Sequence, residues 1–123
     1  MEHHALFVCT SCAFSATQRD HLGHRGGYHL FQQLRQQGQM PPEFTLEAVE
    51  CLSACHRFCV IALAAPQKTT LMFGDLPPLE SAAAIAQLAT QYAASPNGLV
   101  PRQSRPEPLQ KGILARISLW PRP

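Results

Sequence analysis

Five cysteines carry the chemistry open to this chain. Cys9 and Cys12 form a C-x2-C pair in "FVCTSC", directly after the apolar run Ala5–Val8. Cys51, Cys55 and Cys59 follow far downstream in "ECLSACHRFCVIAL", each separated from the next by three residues. Clustered thiols serve as a disulfide frame, a catalytic dithiol, a zinc site or an iron–sulfur cluster. An odd number of cysteines suits a disulfide frame poorly. Thiolates are soft ligands that select zinc or iron–sulfur clusters, and four of them complete either site. A lone C-x2-C is weak evidence, whereas a C-x2-C paired with a C-x3-C across one folded unit is considerably stronger.

Two thiol groups so far apart can cooperate only if secondary structure returns the chain to one place. Ala5–Val8 reads as a short buried strand, and Cys9 to Gly27 shows no sustained period and reads as loop. Gly27–Gln37 reads as a helix with Tyr28, Phe31 and Leu34/Arg35 on one face and Gly38 as its C-cap. Phe44, Leu46 and Ala48 alternate with polar residues as a strand does. Val60–Ala64 and Thr69–Phe73 form a predicted hairpin. Leu79, Ala82, Ile85, Ala86, Ala89 and Tyr92/Ala93 make an amphipathic helix, stopped by "SPNG". The order, βαβ followed by ββα, predicts an α/β thioredoxin-like domain: a mixed four-stranded sheet between helices. Parallel strands share one C-terminal edge, so the Cys9/Cys12 loop and the Cys51/Cys55 loop are expected to converge there.

Length and charge narrow the setting. A chain of 123 residues with 46% hydrophobic residues is long enough for one domain with a real core. No apolar run is long enough for a bilayer, and "MEHHALFVC" lacks the pattern of a signal peptide, so a cytoplasmic protein is expected. A formal net charge of +2 gives no argument for nucleic acid. The charge is uneven, however. Residues 1–98 make up the predicted domain, and 99–123 a Pro/Arg-rich tail with Arg102, Arg105, Lys111, Arg116 and Arg122 against one acid, Glu107. Its prolines keep it extended. Ile113, Leu114, Ile117, Leu119 and Trp120 give it too much apolar surface for a free linker. The tail is expected to lie on the domain or on a second subunit, with Gly112–Ser118 pairing a sheet edge and Arg102, Arg105, Lys111 and Arg116 facing an acidic partner.

The remaining polar residues have plain readings. His3 and His4 read as an exposed terminus, His29 as the outer face of its helix, and His56 and Arg57 as solvated loop. Glu47 and Glu50 read as solvent-facing rather than as a catalytic pair. A dithiol oxidoreductase is the main enzymatic rival. It would begin a helix at once after Cys12, where this chain has the long "AFSATQRDHLGHRGG", and it would leave Cys51 and Cys55 unexplained.

The residues also carry a family likeness. "FTLEAVECLSAC" resembles a segment of the small iron–sulfur subunit of respiratory complex I, and "RGGYHLFQQL" is similar to the helix after the first ligand loop of thioredoxin-like [2Fe–2S] ferredoxins. Together with "MFGDLPP" and "ASPNGLVPRQSRPEPLQKGILARI", the chain from Ala5 to Ile117 resembles a bacterial family of predicted metal-binding proteins related to those ferredoxins. The resemblance implies Cys9, Cys51 and Cys55 as cluster ligands. The relatives' remaining position falls near Leu22, which cannot ligate, so Cys12 is the nearest substitute. Cys59 stands where relatives carry proline and is a spare thiol or an alternative ligand. His21 and His24 could replace a thiolate, as imidazoles do in Rieske centres. The expectation is a [2Fe–2S] ferredoxin-like protein, an electron carrier or iron–sulfur sensor rather than an enzyme, with a protein redox partner and a possible homodimeric state. A four-thiolate zinc adaptor or metal-handling protein is the alternative.

Overall fold

In the computed structural model, residues 3–54 and 57–120 are described. The apolar N-terminal run forms β1 (His4–Cys9), in which His4, Leu6 and Val8 are buried by alternation. Two very short strands, β2 (Asp20–His21) and β3 (His24–Arg25), precede α1 (Gly26–Gln37). Then come β4 (Phe44–Val49), the hairpin β5 (Ile61–Ala64) and β6 (Thr70–Phe73), α2 (Ala82–Ala94) and β7 (Ile113–Ile117). The main sheet has the order β4-β1-β5-β6-β7. β1 and β4 are parallel, and the other pairs are antiparallel.

This mixed sheet with two helices is the expected α/β class, with differences of detail that have physical causes. The helices do not flank the sheet. α1 and α2 pack on each other and on the face of β1 that carries Leu6 and Val8, where Leu30, Leu34, Ile85, Leu88 and Tyr92 complete one core. Burying each such aliphatic side chain contributes about 1.5–3 kcal/mol relative to leaving it in water. The buried stripe of α1 is Gly27, Leu30 and Leu34, and Tyr28 lies outside it, stacked on His24 with ring centroids 3.9 Å apart. Gly38 does cap the helix, in left-handed backbone at φ 60°. α2 begins at Ala82 rather than Leu79, because the Ser81 hydroxyl bonds to the Pro77 carbonyl at 2.7 Å and the helical turns start beyond it.

The stretch from Cys9 to Gly27 contains structure that periodicity does not reveal. β2 and β3 pair antiparallel around Leu22 (φ 53°) and Gly23 (φ 83°), a two-residue turn with both φ angles positive. A pair of two-residue strands is too short to show alternation.

His4 is not an exposed terminus. It is 3% exposed, its ring 5.2 Å from that of Phe44, and its Nε2 lies 2.8 Å from the Lys68 ammonium. Lys68 also donates to the carbonyls of Tyr92 and Ala93, both at 3.1 Å. A buried amine at the last turn of α2 adds a donor to its terminal carbonyls, where the Tyr92 carbonyl also accepts from the Ser95 N–H, and complements the negative end of the helix dipole.

The tail is not extended throughout. Two 3-10 turns, Arg102–Ser104 and Glu107–Leu109, lead to β7, which hydrogen-bonds to β6 and makes a fifth strand of the sheet. Leu109 is fully buried in the helix-side core, and Val100 joins it there. Gly112 (φ 78°) makes this return possible. Its carbonyl accepts from the Gly74 N–H at 2.8 Å, and a Cβ on Gly112 would collide with the Gly74 carbonyl. Arg105 is only 8% exposed, so it is not part of an outward basic surface, whereas Arg102, Lys111 and Arg116 are exposed. Among the described residues no helix is long and apolar enough to cross a membrane.

Candidate metal centre

Parallel pairing of β1 with β4 sets Cys9 directly beside Val49, so the loops that follow both strands leave the same sheet edge. Thr10 fastens the two loops together. Its N–H and its hydroxyl both donate to the Val49 carbonyl, at 2.8 and 3.0 Å. Cys9 follows Val8 by one residue and therefore faces away from the helices. There, with Cys12, Ala54 and Val60, it forms a second small buried cluster, covered by Leu52, Met72 and Leu114.

The "RGG" motif at the start of α1 has its explanation here. A Cβ on Gly27 would overlap the Cys9 carbonyl, and one on Gly26 would overlap that of Ala13. The Gly27 N–H donates to the Cys12 carbonyl at 3.2 Å, and the Arg25 guanidinium donates to the Ser11 carbonyl at 2.7 Å. Glycines let the first turn of α1 press against the cysteine loop, and the positive end of a helix favours thiolate nearby.

Cys9 and Cys12 are both buried, at 1% and 3% exposure. Burial raises the Cys9 pKa. Hydrogen bonds from the Cys12 thiol, the Leu52 N–H and Ser11 outweigh it and hold the thiol below its ordinary value of 9.0. As a thiol, Cys9 reaches the Glu50 carbonyl at 3.9 Å. Cys51, on the same loop as Glu50 and Leu52, is exposed, and the Ser53 N–H donates to its sulfur at 3.1 Å. Cys55 and His56 lie outside the described residues. Among those described, no three Cys, His, Asp or Glu side chains already stand in metal-holding geometry.

Cys59 differs from the others. It is fully buried in left-handed backbone at φ 48°, and its Sγ–H donates to the Ala13 carbonyl at 3.5 Å. Burial, together with the charge that Cys12 and Cys9 would carry, pushes its pKa up to about 12. It is therefore a protonated donor at neutral pH. Stability from keeping it protonated is fully present below 9.0 and is lost as pH rises toward 12. Cys59→Ser should show a shallower loss of stability between these values in alkaline unfolding followed by circular dichroism, and its visible spectrum should match that of the wild type. A bleached Cys59→Ser protein would make Cys59 a ligand.

The histidines are engaged elsewhere. His21 stacks on Phe14 with centroids 4.4 Å apart, and its carbonyl lies 2.6 Å from His29 Nε2. His24 stacks on Tyr28. Among the described residues their ring contacts are with Phe14, Tyr28 and one another. Arg57, read as solvated loop, instead pairs with Asp75 through its Nε at 2.8 Å and a second guanidinium nitrogen. The Asp75 N–H donates to the Phe58 carbonyl at 2.6 Å, so this corner ties the end of the cysteine loop to the end of β6. Nothing in the spacing of the sequence marks Ser53, Leu52 or Asp75, because their roles come from backbone groups and a partner far along the chain.

No curated protein matches this chain. Among solved structures it is similar to a thioredoxin-like [2Fe-2S] ferredoxin from Aquifex aeolicus, with a TM-score of 0.56 over 94% of each chain and 16% sequence identity. That likeness establishes the thioredoxin-like fold. The description "Protein of unknown function (DUF1636)" matches residues 6–118, and the chain belongs to that family.

Proposed function

We propose that the protein binds a [2Fe–2S] cluster through Cys9, Cys12, Cys51 and Cys55 and acts as a ferredoxin-type electron carrier or iron–sulfur sensor in the cytoplasm. One observation carries this reading: the parallel register of β1 and β4 brings the Cys9 and Cys51 loops to one sheet edge. There the Ser53 N–H already donates to the Cys51 sulfur at 3.1 Å, and the Ser11 hydroxyl lies 3.7 Å from that of Cys9. Thiolate ligands need such donors, which stabilise their charge and tune a cluster's potential. The donor set is soft, and its described members Cys9, Cys12 and Cys51 lie on two loops of one sheet edge, which suits the group. When bound, such a cluster takes up and releases one electron. The chain's own part is to hold the thiolates, shield Cys9 and Cys12 from water, and present the exposed Cys51 side toward a protein redox partner. Anaerobically purified protein should contain about two irons and two sulfides per chain, following the stoichiometry of the cluster, and should be reddish brown. Stoichiometric zinc without sulfide, in protein made with ample iron, would replace this reading with a zinc adaptor.

A further inference from the structure

The segment after α2 borders a half-open cavity at the β6–β7 edge of the sheet. It holds about 380 Å³ and is lined by Leu71, Leu99, Val100, Ile113 and three arginines, Arg102, Arg105 and Arg116. Arg105 is the buried one. Its two terminal nitrogens donate to the Val100 and Gln110 carbonyls, each at 3.3 Å, and its guanidinium carbon lies 5.5 Å from the centre of the Phe73 ring. Its Nε is buried and has no hydrogen-bond partner. Neutral carbonyls do not cancel its charge. Among the described residues, no carboxylate forms an ion pair with any of the three arginines. Burial and then repulsion by Arg102 and Arg116 lower the Arg105 pKa, which is the sign of cations held together without a counterion.

A buried donor left unpaired costs free energy, and so does a like-charge cluster. Both costs vanish if an anion sits among the three groups. Guanidinium forks match carboxylate and phosphate oxygens in geometry. The rest of the lining is apolar, so a fully hydrated inorganic ion would leave it uncovered. We infer that this cavity binds a small amphipathic organic anion, its oxyanion head on Arg102, Arg105 and Arg116 and its apolar body on Leu71, Leu99, Val100 and Ile113. The site is at the β6–β7 side of the sheet, separate from the cysteine loops, and does not depend on the metal centre proposed there.

Phenyl phosphate and hexanoate are suitable probes, with benzyl alcohol and inorganic phosphate as the arms lacking a head or a body. Titration of the full-length protein, followed by amide and arginine Nε–H signals in NMR spectra, should show saturable shifts at Arg105, Val100 and Ile113. At least one organic anion should bind more tightly than either incomplete probe. The exposed pair Arg102→Gln/Arg116→Gln should weaken that binding by more than about tenfold, the loss expected for removing charge-assisted hydrogen bonds. Absence of saturable shifts with both organic anions at about 10 mM, well above a millimolar Kd, would overturn the inference. So would shifts that map outside the cavity, or affinity unchanged in the double variant. Equal binding of inorganic phosphate would overturn the amphipathic ligand.

Discussion

Cys9→Ser protein is expected to lose its visible absorption and its iron, while its fold survives. Serine is close to cysteine in size, and the site sits at the end of β1 with its N–H bonded to the Val60 carbonyl at 3.0 Å, a contact the substitution leaves in place. The loss falls on the sulfur. The surroundings of Cys9 hold its thiol below the ordinary value in spite of burial, which favours thiolate. A serine hydroxyl in the same place stays protonated and is a hard, weak ligand for iron or zinc. Colour, iron and sulfide should fall together, by tenfold or more as an order of magnitude, whereas the Tm of the metal-free forms should differ little. Retention of a full complement of iron and sulfide by Cys9→Ser would remove Cys9 from the ligand set and undo the proposed centre.

Deleting residues 99–123 is expected to unfold the domain. The deletion removes β7, the partner of β6, and uncovers an edge strand whose backbone groups would then need water or another chain. It also removes Leu109 and Val100 from the core, along with Ile113, which packs against it, and takes Arg105 off the Phe73 ring. At about 1.5–3 kcal/mol for each aliphatic side chain, the loss approaches the total stability of about 5–15 kcal/mol typical of a domain. The truncated chain should be insoluble or show no cooperative melting by circular dichroism. Leu109→Ala is the milder version, expected to cost about 2–5 kcal/mol in urea unfolding. A truncated protein that melts at the wild-type temperature, with an unchanged oligomeric state by gel filtration, would show that the tail contributes nothing to the domain.

Much of this arrangement is legible in the chain. Alternation in Phe44–Val49, the helical stripe from Ala82 to Tyr92 and the glycine stop at Gly38 are local signals, and they place the elements within a few residues of their observed bounds. Once β1 and β4 are strands joined by a helix, a parallel pairing follows. The Cys9 and Cys51 loops must then meet. Other features depend on which distant partner arrives. His4 is buried because Lys68, Phe44 and Tyr92 close over it, and its neighbours in sequence carry no sign of that. Cys59 escapes the alternation of β5 because it precedes the strand in left-handed backbone, which no pattern of apolar residues encodes. Arg105 reads as one cation among several in a basic tail. Only the return of that tail onto β6 sets it over Phe73 and within reach of the charge of Arg116, because burial and charge crowding are properties of contacts between distant segments and not of composition.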